Sequence, residues 1–476
     1  MSPTRFAVSF IIDRDPVFAY TGWHLAHSIV AHAGLPWSAL HVQCTAEVPA
    51  RTVEAFRALG CTTHRLARFG DGRYCNKLAQ WDNLRPVDAD HFLFLDTDMI
   101  CLGDFTARLP TGAVAGKVVD LPNPPPAILD TLFERAGIQD RPPVVPVEAR
   151  GGQTYRGNCN GGLYSVPRQF ADRLFAAWRE TALSLLADIA PLRSIRKESH
   201  VDQIAFCMAM HETGLPFADL PSNVNYPLHL AGPHRFREAG PLQLLHYHNS
   251  SLNVLGLLEP KRDLDDEEAQ AVRDANAQIT ANFDTETFWD LRYRHFPERG
   301  SGVGSRGANL AYKRDLLKAE GVEGASSVLD VGCGDLEVVH SLNLANYVGV
   351  DRSAASLALA AERRPDWTFV ETPALDVAPA DMVLCFEVAI HQKTAQAYRE
   401  LVGFLASKTR RTLIVSGYDA ATDKIAANHM LYYYEPLHES LSATGKFSSI
   451  RKIGSHSDVV VYRCDVAPED AMAAPA

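Results

Sequence analysis

SSVLDVGCGD (Ser326–Asp335), followed by YVGVDRS (Tyr347–Ser353), decides how the second half of the chain folds. An apolar strand, Ser327–Val331, enters a turn with glycines at 332 and 334. A second strand, Tyr347–Val350, ends on Asp351. Glycines in such a turn let backbone approach a ligand, and an acid at the end of the next strand can accept two ribose hydroxyls. The pattern then alternates. Helices are predicted near Leu336–Leu344 and over Ala354–Arg363 and Thr394–Leu405, and strands at Thr368–Val370, Met382–Phe386 and Thr412–Ser416. That order predicts a doubly wound α/β domain.

The first half alternates too. Strands are predicted at Phe6–Ile12, Leu40–Cys44 and His91–Leu95, with helices at Thr21–Ala33, Ala50–Leu59, Pro167–Ala187 and Val201–His211. The alternation argues for a mainly parallel, layered sheet. Leu121–Pro146, rich in proline, reads as an irregular surface loop or flap. The charged stretch from Glu259 to Asn282 reads as a solvated helix that closes the first domain or bridges to the second.

Composition bounds the class. The 476 residues are 46% hydrophobic and 22% charged, which excludes disordered, collagen-like and coiled-coil chains. A net charge of −11 makes a nucleic-acid polymer a poor partner. The nine cysteines are scattered without a C-x-x-C pair, so neither a zinc knuckle nor a disulfide framework is expected. No apolar run is long enough for a membrane span, and no signal segment is expected. A cytoplasmic location is the expectation. Self-association is left open.

In the first half the key string is HFLFLDTDMICLGDF (His91–Phe105). A buried strand runs into Asp96-Thr97-Asp98. Ligands of open α/β sheets sit beyond the carboxyl ends of strands. Two carboxylates there can hold a divalent cation that bridges a diphosphate. Downstream come the turn Asn160-Gly161-Gly162, the helix start His200-Val201-Asp202-Gln203, and His246-Tyr247-His248, whose imidazoles share one strand face. Asp202 also reads as a helix cap and Asn160 as a turn residue.

In this order, from Phe6 to about Asn253, these motifs resemble the GT-A glycosyltransferases of the glycogenin and galactosyltransferase type. The resemblance implies a GT-A-like mixed sheet with helices. It implies Mn²⁺ or Mg²⁺ held by Asp96, Asp98 and one of His246 or His248. It implies a nucleotide-sugar donor contacted by Asp13, Asn160, Gly161 and Gly162, with Asp202 and Gln203 beside the sugar. The His246 string lacks the Gly and Lys that follow this His in the family, so Lys77, in YCNKLAQW, is the cation expected near the diphosphate.

VLDVGCGD with YVGVDRS resembles the first motifs of class I S-adenosylmethionine (SAM) methyltransferases, over about Phe288 to Arg463. The fold implied is Rossmann-like. A dinucleotide site would need a third glycine near Val338 and is disfavoured. The resemblance assigns Asp330, Gly332 and Gly334 to the methionine end of SAM, Asp351 to the ribose and Asp376 to the adenine side. Glu387 follows a strand that faces the methyl donor. GSGVGSRG (Gly300–Gly307) is similar to the lid of methyltransferases from bacterial polysaccharide clusters, with Arg306 and Tyr293 clamping the SAM carboxylate. His391 is the candidate general base for a hydroxyl acceptor, because imidazole titrates near neutrality.

The expected organisation is a glycosyltransferase domain at 1–258, a helical connector at 259–287, a methyltransferase domain at 288–466 and a flexible tail at 467–476. The expected activity is metal-dependent sugar transfer plus O-methylation of a sugar hydroxyl on a glycan or glycolipid acceptor. The alternative is a methyltransferase whose first domain only binds the acceptor.

Overall fold

The computed structural model describes residues 4–232, 234–373 and 376–468. The last eight residues of the expected tail lie outside them. The chain forms two compact units, residues 1–282 and 283–476.

The first unit has β1 (Phe6–Ile12), β2 (Leu40–Cys44), β3 (Thr62–Arg65), β4 (His91–Leu95), β5 (Met99–Cys101), β6 (Val114–Val118), β7 (Val144–Pro146), β8 (Gln153–Tyr155), β9 (Cys159–Pro167), β10 (Phe217–Asp219), β11 (Tyr226–Pro227) and β12 (Leu244–His246). Seven form one sheet in the order β10-β6-β9-β4-β1-β2-β3. β1, β2, β3 and β4 are parallel, as their apolar runs suggest. β9 instead runs against both β4 and β6, so the sheet is mixed. That reversal matters for the site. It sets the start of β9 (Cys159 opposite Val118, Leu163 opposite Leu95) beside the carboxyl ends of β4 and β6. A small sheet pairs β12 antiparallel to β5, with His246 opposite Met99.

Apolar residues cover both faces of the main sheet. Trp81, Phe92, Phe94, Phe175 and Trp178 pack one side, while Val8, Phe10, Leu25, Ile29 and Val42 pack the other. The helix Pro16–His32 starts cleanly because Asp15 accepts from the Val17 N–H and Pro16 needs no partner at its nitrogen.

Two expectations are corrected here. Leu121–Pro146 is not wholly irregular: Pro126 opens a helix to Arg135 that buries Leu129, Leu132 and Phe133. The charged stretch is not wholly solvated. Its helix, Asp266–Ala281, begins with a capping box between Asp265 and Glu268 and buries Ala271, Val272, Ala275 and Ile279 within the first unit.

The second unit has β13 (Val328–Val331), β14 (Tyr347–Asp351), β15 (Thr368–Glu371), β16 (Ala380–Cys385), β17 (Thr409–Gly417), β18 (Ser449–His456) and β19 (Val459–Asp465). They form one sheet in the order β15-β14-β13-β16-β17-β19-β18, parallel except for β19, which runs against both its neighbours. The chain steps outward from β13 to β15, then returns to place β16 on the other side of β13. This is a switch point, where a crevice opens beyond the strand ends. No helix forms over Leu336–Leu344. Leu336 sits at φ +60°, which a right-handed helix excludes, and successive turns bury Leu336, Val339, Leu342 and Leu344 instead. Among the described residues no helix is long and apolar enough to cross a membrane.

Candidate functional sites

Beyond the carboxyl ends of β1, β4 and β6 the chain places Asp13, Asp96 and Asp120. The reversed β9 starts at the same edge with Asn160, Gly161 and Gly162. Gly162 has no room for a side chain: a Cβ there would lie 2.7 Å from His246 Nδ1. At Gly161 a Cβ would lie 3.1 Å from Gln203 Nε2 and 3.2 Å from Lys77 Nζ. Of the predicted residues, Lys77, Asp96, Gly161, Gly162, Gln203 and His246 are therefore brought together.

Asp98 is the centre of the cluster. Its Oδ1 lies 3.4 Å from His246 Nε2 and its Oδ2 3.7 Å from His248 Nδ1. Burial alone would raise the Asp98 carboxyl, but the imidazoles prevail and hold it low. Burial likewise opposes charge on His246, yet the Asp98 carboxylate raises it. Burial, helped by His246, pushes His248 down to about 4. Asn225 Oδ1 stands 3.1 Å from His246 Nδ1. The amide oxygen can only accept, so Nδ1 donates and Nε2 is left as a ligand atom facing Asp98.

Asp96 takes a different partner. Its Oδ1 is 2.7 Å from Lys77 Nζ, on a nearly buried lysine that also donates to the Gly161 carbonyl. Asp13 is engaged by the Arg68 guanidinium at 2.7 Å and accepts from the Thr45 hydroxyl at 2.8 Å. Asp202 occupies the first turn of the helix Val201–Thr213, whose N-cap is His200. It is buried, and its Oδ1 has no hydrogen-bond partner. Burial raises its carboxyl to about 7, opposed by Lys77 and aided by Asp96.

Sequence reasoning missed Lys117, Asp120, Asn225 and His229. Asp120 binds Lys117 and accepts from Asn160 Nδ2 at 2.7 Å. Asn160 Oδ1 in turn accepts from the Gly162 N–H at 2.9 Å and from Asn225 Nδ2 at 3.2 Å. The signal for Asp120 was present: it follows an apolar strand end, as Asp96 does. Gly116 and Lys117 hid the strand by interrupting its apolar run. The loop residues Asn225 and His229 carry no such signal.

In the second unit the crevice is lined by Gly332, Asp351, Glu387 and His391, with Val331 and Val388 among its apolar walls. Gly332 (φ +79°) and Gly334 (φ +54°) use left-handed backbone. The Gly334 N–H donates to Asp351 Oδ2 and the Ser353 N–H to Oδ1, both at 2.9 Å. Each carboxylate oxygen keeps capacity for a further donor. Asp330 accepts from the Tyr347 hydroxyl at 2.8 Å, and burial raises its carboxyl to about 7.

Tyr293 reaches Ser301 at 3.0 Å, and Ser301 donates to Asp335 at 2.6 Å. Arg306 pairs with Asp335 at 2.8 Å. Asp335 thus ties the Gly300–Gly307 segment to the glycine turn. Asp376 is exposed and does not line the crevice; Thr372 does. Glu387, at φ +62°, lies 2.9 Å from the fully buried Lys313 Nζ and 3.0 Å from His456 Nε2. Lys313 and His456 were not foreseen. His391 Nδ1 stands 2.8 Å from the Met430 carbonyl, so Nδ1 donates and Nε2 keeps its lone pair. Burial lowers the His391 pKa.

Comparison with known proteins assigns both regions. Residues 9–214 match the family model of the Rhodobacterales glycosyltransferase domain, and residues 329–409 match that of a methyltransferase domain. The chain therefore carries a glycosyltransferase domain and a methyltransferase domain, and it is an enzyme. Among curated proteins none matches. Solved structures similar to parts of the chain include mouse xyloside xylosyltransferase 1 (15% identity, 52% of this chain and 98% of that one, TM-score 0.34). Others are magnesium protoporphyrin IX methyltransferase from Synechocystis PCC 6803 (19%, 38% and 87%, TM-score 0.29) and N-methyltransferase NodS from Bradyrhizobium japonicum WM9 (13%, 34% and 88%, TM-score 0.28).

Proposed function

We propose that the chain is a bifunctional enzyme that transfers a sugar from a nucleotide-sugar donor and methylates a sugar hydroxyl, in the assembly of a surface glycan. The observation that carries this is the presence, in one chain, of two strand-end sites, the first opened by Asp98 inside the glycosyltransferase match and completed by His246 beyond its end, the second inside the methyltransferase match. One is built on Asp98 and His246, the other on Gly332, Gly334 and Asp351.

Asp98 and His246 supply the carboxylate and imidazole donors that suit Mn²⁺ or Mg²⁺, with Asp96 beside them. A bound divalent cation would neutralise a diphosphate. Lys77 adds a fixed positive charge at the same edge. Gln203 faces Gly161 and orients the sugar. Asp202, held close to neutral by burial, donates or accepts a hydrogen bond there. Asp13, committed to Arg68, shapes the base end of the site.

In the second unit Asp351 would accept the ribose hydroxyls of SAM, and the glycine turn would pass its methionine end toward Asp330. Bound SAM supplies an electrophilic methyl group. His391 Nε2 takes the acceptor hydroxyl's proton as its oxygen attacks. Tyr293 and Arg306 brace the lid segment through Asp335, while Lys313 and His456 fix Glu387 against the crevice.

Thermal shift tests both sites. S-adenosylhomocysteine should raise the melting temperature of the second unit, and a nucleoside diphosphate should raise that of the first only with Mn²⁺. A ligand at about 100 times its Kd stabilises by about 2.7 kcal/mol. Asp351→Ala should lower affinity for S-adenosylhomocysteine by tenfold or more, since it removes a buried acceptor. Unchanged affinity would remove Asp351 from the site. A second reading, a methyltransferase with a glycan-binding first unit, draws on the capture of Asp96 by Lys77. It predicts no metal-dependent nucleotide shift.

A further inference from the structure

His248 faces two ways. Its Nδ1 points toward Asp98, while its Nε2 is buried and has no hydrogen-bond partner among the described residues. The ring centroid lies 4.2 Å from that of His246 on one side and 4.2 Å from that of His229 on the other. The backbone at His248 has φ +53°, a conformation that few non-glycine residues adopt. The ring is thus held between two imidazoles, with Asp98 beside it.

Asp120, His229 and His248 each offer one ligand atom, and these atoms all lie within 4.8 Å of one another. The three residues come from separate segments: the end of β6, the loop after β11 and the turn after β12. Asp120 is buried, bonded by Lys117 and Asn160, and His229 Nε2 lies 3.9 Å from its Oδ2. Lys117 also stands 3.5 Å from Glu148, so its charge is shared between two carboxylates.

We propose that Asp120, His229 and His248 form a second cation site, beside the one built on Asp98 and His246. It rests on the assignment of His246 to the first cation, which frees His248 for the second. Two imidazoles and one carboxylate favour a borderline transition ion such as Co²⁺ or Zn²⁺ over Mg²⁺, which prefers oxygen donors. Three protein ligands leave positions open for oxygen atoms of a bound molecule. A positive charge at the end of β6 would lie next to Asn160 and Gly162, at the edge where the sugar is placed.

The test is Co²⁺ uptake by the full chain, measured by calorimetry and by visible absorption. The wild type should bind two ions. His229→Ala, at an exposed loop position, should remove the second site. The loss should be at least as large as the roughly 10- to 100-fold caused by removing an outer-shell partner. Asp98→Ala should remove the first site and keep the band that His229→Ala abolishes. His229→Gln, with near-ultraviolet circular dichroism, checks that the fold survives. Uptake by His229→Ala equal to the wild type would overturn the second site. So would a single wild-type ion that Asp98→Ala removes. If Asp98→Ala keeps both ions while His229→Ala loses one, the first assignment falls and the second stands.

Discussion

At the end of β4 the first unit gathers charged side chains from widely separated segments. At the end of β13 the second unit relies on one glycine turn and the strand beside it. In the first, Lys77, Asp98, Asp202 and His246 come from two helices, a turn and a strand of another sheet. In the second, the Gly334 N–H, in the turn that leaves β13, donates directly to the Asp351 carboxylate at the end of the neighbouring parallel strand. A site of side-chain charges tolerates backbone variation but depends on each charge. A site that rests on a glycine turn and one carboxylate depends on few side chains but does not tolerate an added Cβ. The sharpest way to break this contrast is Asp98→Ala. Sugar transfer should fall below detection while methylation, measured with labelled SAM, stays within about twofold, because the mutation removes a carboxylate from the first site only and leaves the His246 and His248 nitrogens that face it without that partner. Loss of both activities would end the separation of the two sites.

The same contrast explains what the sequence could reveal. The glycine turn and Asp351 lie within one short stretch, so apolar strand, glycines and acid were legible together. Asp96 and Asp98 were legible because a five-residue apolar strand precedes them. Asp120 follows a comparable strand end, yet that strand contains Gly116 and Lys117, and the apolar run that would mark it is broken. The antiparallel course of β9 was not legible either, since its Asn-Gly-Gly start reads as a turn until β4 and β6 are placed beside it. The helix expected over Leu336–Leu344 failed for a local reason. Its apolar spacing suits a helix, but the tight glycine turn passes into left-handed backbone at Leu336, and the same side chains are buried through turns. His391 lies in a short turn rather than a long helix. What orients it is the carbonyl of Met430, remote in sequence.

A smaller effect sharpens the backbone side of the comparison. A Cβ at Gly332 would fall 2.1 Å from Val388 Cγ2, on backbone at φ +79°. Gly332→Ala should therefore lower the stability of the second unit by about 1–3 kcal/mol and weaken S-adenosylhomocysteine binding, leaving nucleotide binding by the first unit unchanged. Adding Val388→Ala relieves the collision but not the strained φ, so only part of the stability should return. Full recovery would show that φ strain costs nothing there, and the glycine would then matter only for packing.

A pH-dependent effect concerns Asp202, where the charge-built site opposes its own ionisation. Its folded carboxyl titrates near 7, far above the usual 3.8, chiefly because it is buried. The folded state therefore holds the proton more tightly than the unfolded state. Stability contributed by that proton is complete below about pH 4 and is lost as pH rises toward 7. Asp202→Asn removes this dependence. Melting curves of the variant should cross those of the wild type as pH rises, with the variant gaining up to roughly a few kcal/mol above pH 7. Lys77 and Asp96 act in opposite directions on this carboxyl, so Lys77→Met should raise its titration further and enlarge the difference. Parallel melting profiles for Asp202→Asn and wild type from pH 4 to 8 would mean that the buried carboxylate finds a compensating donor. Asp202 would then be an ordinary ionised acid beside Lys77 and Asp96, available as a charge rather than as a hydrogen-bond donor.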